Sequence, residues 1–368
     1  MRLLRLTVAR LRNLQPLEVR PAPGLNLVIG DNGAGKTSLL EAIHLLAYGR
    51  SFRGRVRDGL IRTGAVDLEV FAEWEQGEGR LRRAGLQHGG QAWRGRLDGE
   101  PVRQLGDLCA AFAALTFEPG SHALLGGGGE PRRRYLDWGL FHVERETADA
   151  SFFLLWRRYA RALKQRNAAL RLGADVTQLE AWEQEMVAAG EPLTRHREAY
   201  LERLQTALAR CTEELSPSLG TARFQFQPGW RREQMSLADA LLLGRERDRA
   251  SGYTSTGPHR ADWRLAHGGR PADEALSRGQ AKLSALACLL AQAEDYAAHR
   301  GQWPVVLLDD LAAELDQAHQ RRLLARLQAG QAQVFVTGTE PPASLAEITG
   351  PVERFHVEHG NISKNTNL

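Results

Sequence analysis

The 368 residues contain only three cysteines and no apolar run approaching the roughly 20 residues of a membrane-spanning helix. Cys109, Cys211 and Cys288 are scattered, and Cys109 and Cys288 sit among apolar neighbours. That leaves neither a disulfide framework nor a metal-ligand spacing, and unpaired structural thiols are expected. The opening stretch from Met1 to Val8 alternates like a strand and lacks the apolar core and cleavage site of a signal peptide. A cytoplasmic chain with no membrane partner is the expectation. Lysine is scarce as well, with Lys36, Lys164, Lys282 and Lys364 alone, so 44 of the 48 basic residues are arginine. A net charge of +4 and a pI of 9.1 lean towards anionic partners. A GC-rich coding bias towards Arg, Ala and Gly explains the arginine excess as readily, so charge alone does not nominate nucleic acid. Nothing repeats at a fixed period, and no heptad pattern is sustained as a long coiled coil requires.

What is present centres on Gly30, Asp31, Asn32, Gly33, Ala34, Gly35, Lys36, Thr37 and Ser38, a complete GxxxxGK[ST] loop. Residues 24–29 read as a buried strand entering it. From Ser38 to Tyr48 the periodicity is helical, with Leu39, Ile43 and Leu46 on one face and Leu40 beside them. In such a loop the glycines let successive N–H groups curl around a β-phosphate, while the helix N-terminus points at the same anion. Lys36 would reach the β- and γ-phosphates of ATP, and the Thr37 hydroxyl would bind Mg²⁺.

The second half of an ATPase site lies far downstream. Residues 305–308 are apolar and end in Asp309 and Asp310, the form of a Walker B strand; Asp309 would hold the Mg²⁺ shell and Asp310 would polarise the attacking water. Upstream, Ser277, Arg278, Gly279 and Gln280 precede a helix in the manner of the ABC-type signature, whose Ser and Gly backbone binds a γ-phosphate presented by another subunit. After the acids, Glu314, Leu315 and Asp316 match the D-loop, and residues 333–339 form a further strand carrying Thr337 as a γ-phosphate sensor.

The long separation of Lys36 from Asp309 requires an insertion. The fold class expected is α/β: an ABC/SMC-type P-loop ATPase head, a mixed sheet with flanking antiparallel strands, at 1–120 and 260–368. An inserted mainly helical lobe would occupy 121–259. Val66 to Trp74 reads as a half-exposed strand, and Asp98-Gly99 as a hairpin turn. Gly126 to Gly129 reads as a flexible joint. One helical stripe runs through Phe152, Leu155, Tyr159, Leu163 and Leu170, and another through Leu193, Tyr200, Leu204 and Leu208. Breaks are expected at 172–175 and at 190–192, a short strand at Arg223 to Phe226, and a polar, frayed end from Asn361.

Several stretches together carry a specific resemblance. They are Arg12-Asn13; Leu39 to Ile43; Gly49 to Arg53; Pro131 to Asp137; Gly257 to Arg260; Leu276 to Gln280; and Leu307 to Asp316. With these the chain resembles, nearly end to end, the RecF family of SMC-like ATPases. The resemblance implies an ATP-dependent homodimer that binds single-stranded DNA and single-strand/double-strand junctions. It further implies work with RecO and RecR to place RecA on gapped DNA, support of SOS induction, association with the nucleoid, and slow, DNA-stimulated ATP hydrolysis that releases DNA. Arg12 and Asn13 would join the ATP site, and Arg53, Arg55 and Arg57 are candidates for DNA contact, with nucleotide contact by Arg50 or Arg53 ranked ahead of it. Gly338 departs from the family, which usually has a side chain there beside the sensor. Arg132 to Arg134 read equally as a solvated helix end, and His259 and Arg260 as packing residues. Two alternatives remain at this stage: a membrane-transporter motor, opposed by the distance from Lys36 to Ser277, and an SMC-type chromosome-organising head, opposed by the missing coiled coil.

Overall fold

The computed structural model describes residues 1–56, 58–77, 79–144, 151–268, 276–342, 345 and 347–364. The chain divides into two compact units, Met1–Ser121 with Tyr296–Leu368, and His122–Asp295. The first unit opens with β1 (Arg2–Ala9), β2 (Leu17–Val19), β3 (Leu25–Ile29) and α1 (Lys36–Tyr48). Then come β4 (Leu68–Gln76), β5 (Arg80–His88), β6 (Trp93–Leu97), β7 (Glu100–Pro101), α2 (Leu105–Ala111) and β8 (Ala114–Phe117). Asp98 and Gly99, with φ of 53° and 95°, make the tight turn between β6 and β7.

The second unit comprises α3 (Ala123–Gly126), α4 (Gly129–Val143), α5 (Phe152–Arg171), α6 (Val176–Leu215), β9 (Ala222–Gln227), α7 (Leu237–Ser251), β10 (Asp262–His267) and most of α8 (Arg278–Arg300). The chain then completes the first unit with β11 (Val305–Leu308), α9 (Leu311–Glu314), α10 (Gln317–Ala329), β12 (Val334–Gly338), β13 (Val352–Glu358) and β14 (Asn361–Lys364).

The first unit contains two sheets. One is antiparallel, in the order β2-β1-β4-β5-β6-β7; the other runs β14-β13-β3-β12-β11-β8 and is parallel except for its β13–β14 edge. Burial explains the division. Along β4, Leu68, Val70, Ala72 and Trp74 are buried and the residues between them are more exposed, as in a sheet with one covered face. Every residue of β11 and β12 is buried, the mark of parallel strands covered on both faces. The cysteines are buried and free, and burial pushes the Cys109 thiol up to about 12.

Four expectations fail. First, the return to the ATPase half at residue 260 is not where the units part. β10 pairs with β9 from Asp262–Gln227 to His267–Ala222, and Trp263 meets Phe224 edge-on at 5.0 Å, which keeps this segment in the second unit. Second, residues 190–192 do not break the helix: α6 runs 40 residues through Pro192, and the Thr194 hydroxyl donates to the Gly190 carbonyl at 2.8 Å. Third, the glycine run is not a free joint. Arg132 is buried, grips Asp262 through two bonds of 2.6 and 2.8 Å, and donates to the Gly127 carbonyl at 2.9 Å. Fourth, Asn361–Lys364 is a strand rather than frayed chain, and the rest of the expected frayed end, 365–368, lies outside the described residues. The break at 172–175 does occur: Gly173 has φ 67°, and the Asp175 side chain caps α6.

Candidate nucleotide-binding site

Between the end of β3 at Ile29 and the start of α1 at Lys36, the loop turns directly into the helix through Gly35, whose φ of 122° excludes a side chain without strain. No side chain caps α1 and no acid stands in its first turn, so its leading N–H groups remain available to an anion. Leu39, Leu40, Ile43 and Leu46 are fully buried and seat the helix. His44 Nδ1 lies 2.8 Å from Thr116 Oγ1 of β8, and burial holds that imidazole down at about 3, keeping it neutral.

Lys36 is only 8% exposed. Its ammonium donates to the loop's own carbonyls, Gly30 at 2.7 Å and Asp31 at 2.9 Å, and it has no ion pair among the described residues. At the end of β11, Asp309 is 4% exposed, and its Oδ1 accepts from Thr37 Oγ1 at 2.9 Å and from Thr337 Oγ1 at 2.7 Å. Thr337 Oγ1 in turn accepts from the Asp310 N–H at 2.8 Å. Burial raises the Asp309 carboxyl above its ordinary range; the two hydroxyls and Arg53 oppose that rise and Asp310 adds to it. Asp310 itself has φ 51°, a strained backbone for a residue with a side chain. These groups, far apart in sequence, converge because β3, β12 and β11 are neighbours and their carboxyl ends open on one side of the sheet.

Together they border an open cleft of ≈ 900 Å³. Of the residues singled out in the sequence, Arg12, Asn13, Asn32, Gly33, Gly35, Lys36, Thr37, Ser38, Arg53, Asp309, Asp310 and Thr337 line it. Asn13 donates from Nδ2 to the Gly33 carbonyl at 2.9 Å and accepts from the Ser38 hydroxyl at 3.4 Å. Gly338 closes β12, with its carbonyl accepting from the Gly30 N–H at 3.3 Å.

Other contributors escaped the sequence reading. Glu41 of α1 is fully buried and holds Arg12 in a two-bond pair of 2.8 and 2.9 Å, while the Ser51 hydroxyl also donates to it. An acid inside the apolar run 39–46 was the available signal. Glu118 and Pro119, immediately after β8, also line the cleft, as do Thr63 and His359. For Glu118 the signal was its place at the carboxyl end of a short apolar strand.

Other candidates lie outside the cleft. Arg55 is exposed, and Arg57 lies outside the described residues. Leu315 is buried next to Glu314, and the Asp316 carboxylate caps α10 by accepting from the His319 N–H at 2.9 Å. Ser277, Arg278 and Gly279 are exposed at the start of α8, in the second unit. The Ser277 hydroxyl accepts from the Gln280 N–H at 3.3 Å and the Gln280 side chain accepts from the Ser277 N–H at 2.9 Å, a reciprocal cap. His259 packs as expected, 2.8 Å from the Tyr159 hydroxyl.

The described residues contain no group of three or more His, Cys, Asp or Glu that could hold a metal alone. The Thr37 hydroxyl and Asp309 carboxylate instead form a pair of hard oxygen donors, the set that suits Mg²⁺ shared with phosphate oxygens. Among the described residues no helix is long and apolar enough to cross a membrane.

Comparison with known proteins bears on this site. The family model described as RecF/RecN/SMC N terminal domain matches residues 2–360. The chain is 60% identical over 372 residues to the DNA replication and repair protein RecF of Xanthomonas axonopodis pv. citri (strain 306), covering 100% of each chain. It is 61% identical over 366 residues to the RecF of Stenotrophomonas maltophilia (strain R551-3), covering 98% of this chain and 99% of that one. Among solved structures, the recombination mediator protein RecF-ATP in the RecFOR pathway superposes with a TM-score of 0.87 at 24% identity, covering 99% of this chain and 98% of the other. That likeness shows a shared fold.

Proposed function

The chain belongs to the RecF family of DNA replication and repair proteins, and on that premise we propose that it binds MgATP at Gly30–Ser38 and uses it to join two copies into a clamp on DNA. The observation that carries this reading is the pair of buried charges, Lys36 and Asp309, facing an open cleft and hydrogen-bonded, among the described residues, only to carbonyls and hydroxyls. Such contacts exchange readily for a charged ligand. Lys36 leaves the Gly30 and Asp31 carbonyls for the β- and γ-phosphates, while the loop N–H groups and the α1 terminus cradle the β-phosphate. Thr37 and Asp309 would hold Mg²⁺, which supplies charge neutralisation on the phosphates when bound. Asp310 polarises the attacking water, and Thr337, bonded to Asp309 and to the Asp310 N–H, links the sensor strand to both acids.

Ser277 and Gly279 of a second copy cap the γ-phosphate, a role their exposure at the start of α8 supports. The site is then complete only in the dimer, and a lone chain hydrolyses ATP slowly. In this reading the first unit is the ATPase head and the second the inserted lobe that carries the signature. The clamp acts at single-strand/double-strand junctions and, with RecO and RecR, favours RecA loading and SOS induction. The solved relative, described as a recombination mediator protein in the RecFOR pathway, is in keeping with the RecO and RecR partnership. Arg53, Arg55 and Arg57 are its candidate DNA contacts, and a cytoplasmic, nucleoid-associated location follows. Family membership sets aside the transporter-motor alternative.

The test is sedimentation with MgATP, MgADP and a non-hydrolysable analogue, with and without junction DNA. A dimer is expected with ATP and the analogue only, DNA affinity should fall with salt, and Ser277→Arg should retain ATP binding but lose the dimer. A full ATP-dependent dimer in Ser277→Arg would refute the cap in trans.

A further inference from the structure

We propose that the β13–β14 hairpin is a positioning element of the phosphate loop, with Gly360 as its positioning residue; the proposal rests on the nucleotide reading above. β13 lies parallel to β3, in register from Val352–Leu25 to His356–Ile29, and β14 folds back on it from Glu358–Asn361 to Phe355–Lys364. The turn is His359-Gly360, with φ of 47° and 80°, both left-handed. It lands on the phosphate loop. The Gly360 N–H donates to the Ala34 carbonyl at 2.8 Å, and the Gly360 carbonyl accepts from the Gln15 N–H at 2.9 Å. One residue thus ties the loop to the segment that follows β1. That same segment reaches the loop again through Asn13, which bonds the adjacent Gly33 carbonyl at 2.9 Å.

The approach leaves no slack. A Cβ on Gly360 would stand 2.1 Å from the Asn13 carbonyl oxygen, and one on Gly30 would stand 2.1 Å from the Val357 carbonyl oxygen. Neither clash can be relieved by a side chain; at Gly360 the turn or the backbone of residues 13–15 must move, and both are bonded to the loop, at Ala34 and Gly33. A phosphate loop binds through the directions of its N–H groups, so a displacement of about 1 Å acts on affinity before it acts on the fold. His359, exposed on the rim of the same cleft, itself sits in the left-handed region at φ 47°.

Gly360→Ala, compared with Gly350→Ala, separates positioning from general strain. Gly350 has a φ of 120°, so alanine is strained there too, yet its Cβ would approach nothing nearer than the Gln328 side chain at 4.0 Å. MgATP affinity is read by calorimetry, KM and kcat by turnover, and nucleotide-free melting by circular dichroism. Gly360→Ala is expected to weaken MgATP binding roughly tenfold and raise KM with little change in kcat, whereas Gly350→Ala lowers the melting temperature and leaves affinity alone. His359→Val and His359→Asn both remove the imidazole from the cleft rim, but valine also strains the left-handed turn, which asparagine tolerates, so His359→Val should bind MgATP more weakly than His359→Asn. Should Gly360→Ala fail to fold, the His359 pair decides: equal affinity in His359→Val and His359→Asn overturns the proposal. Wild-type affinity in a folded Gly360→Ala overturns it as well. Failure of the wild-type chain to bind MgATP would instead overturn the nucleotide reading and the inference with it.

Discussion

In the first unit Lys36 and Asp309 are buried among carbonyls and hydroxyls, whereas in the second Arg166 is fully buried between Glu183 and Asp248, 2.8 Å from each. Thr254 adds a bond of 2.8 Å to the same guanidinium, and Arg245 closes on the far side of Glu183 at 2.5 Å. Arg132 with Asp262 and Arg197 with Asp137 repeat the pattern nearby. Charges that satisfy one another specify how α5, α6 and α7 pack and have nothing left to offer a ligand. Charges held by neutral groups alone are an unfinished arrangement, and the missing partner is the ligand. Burial and bonding therefore set the Arg166 network apart from Lys36 and Asp309, although the Arg12–Glu41 pair shows that a mutually satisfied charge can also border the cleft.

The largest effect that would sharpen this contrast is Arg166→Ala. It leaves buried Asp248 without its cation and Glu183 with Arg245 alone, and should cost about 3–5 kcal/mol in chemical denaturation while leaving MgATP affinity of the folded protein unchanged. Unaltered stability would break the comparison. Asp310→Asn comes next, lowering ATP turnover about a hundredfold or more, with ATP binding and the ATP-dependent dimer retained. A smaller effect tests Asp309, whose carboxyl burial raises above its unfolded value. For a raised acid, the cost of ionisation in the fold is absent below the unfolded pKa and complete once pH exceeds the folded one. Asp309→Asn should therefore raise the nucleotide-free melting temperature at pH 7, with the gain closing as pH falls into the ordinary carboxylate range.

Much of this was legible in the sequence because its causes are local. The apolar runs of β3, β11 and β12 and the glycines around Lys36 owe their form to neighbours within a few residues, so the loop, both acids and Thr337 could be named beforehand. Most of what escaped depends on distant partners. Gly190 and Pro192 look like a stop, yet α6 continues through them. The glycines at 126–129 look loose until Arg132 is seen gripping the Gly127 carbonyl. Asn361–Lys364 is too polar to announce a strand, and becomes one because β13 is there to pair with it. Glu41 shows its role only once Arg12, distant in sequence, folds over it.

The most direct test is a calorimetric titration of MgATP into the wild-type chain and into Lys36→Ala. Loss of the ammonium from an otherwise intact cleft should abolish measurable binding while leaving the melting temperature close to wild type, with wild type taking up one nucleotide per chain. Equal affinity in the two proteins would contradict the account, since a buried charge with no counter-ion among the described residues would then have no ligand to receive.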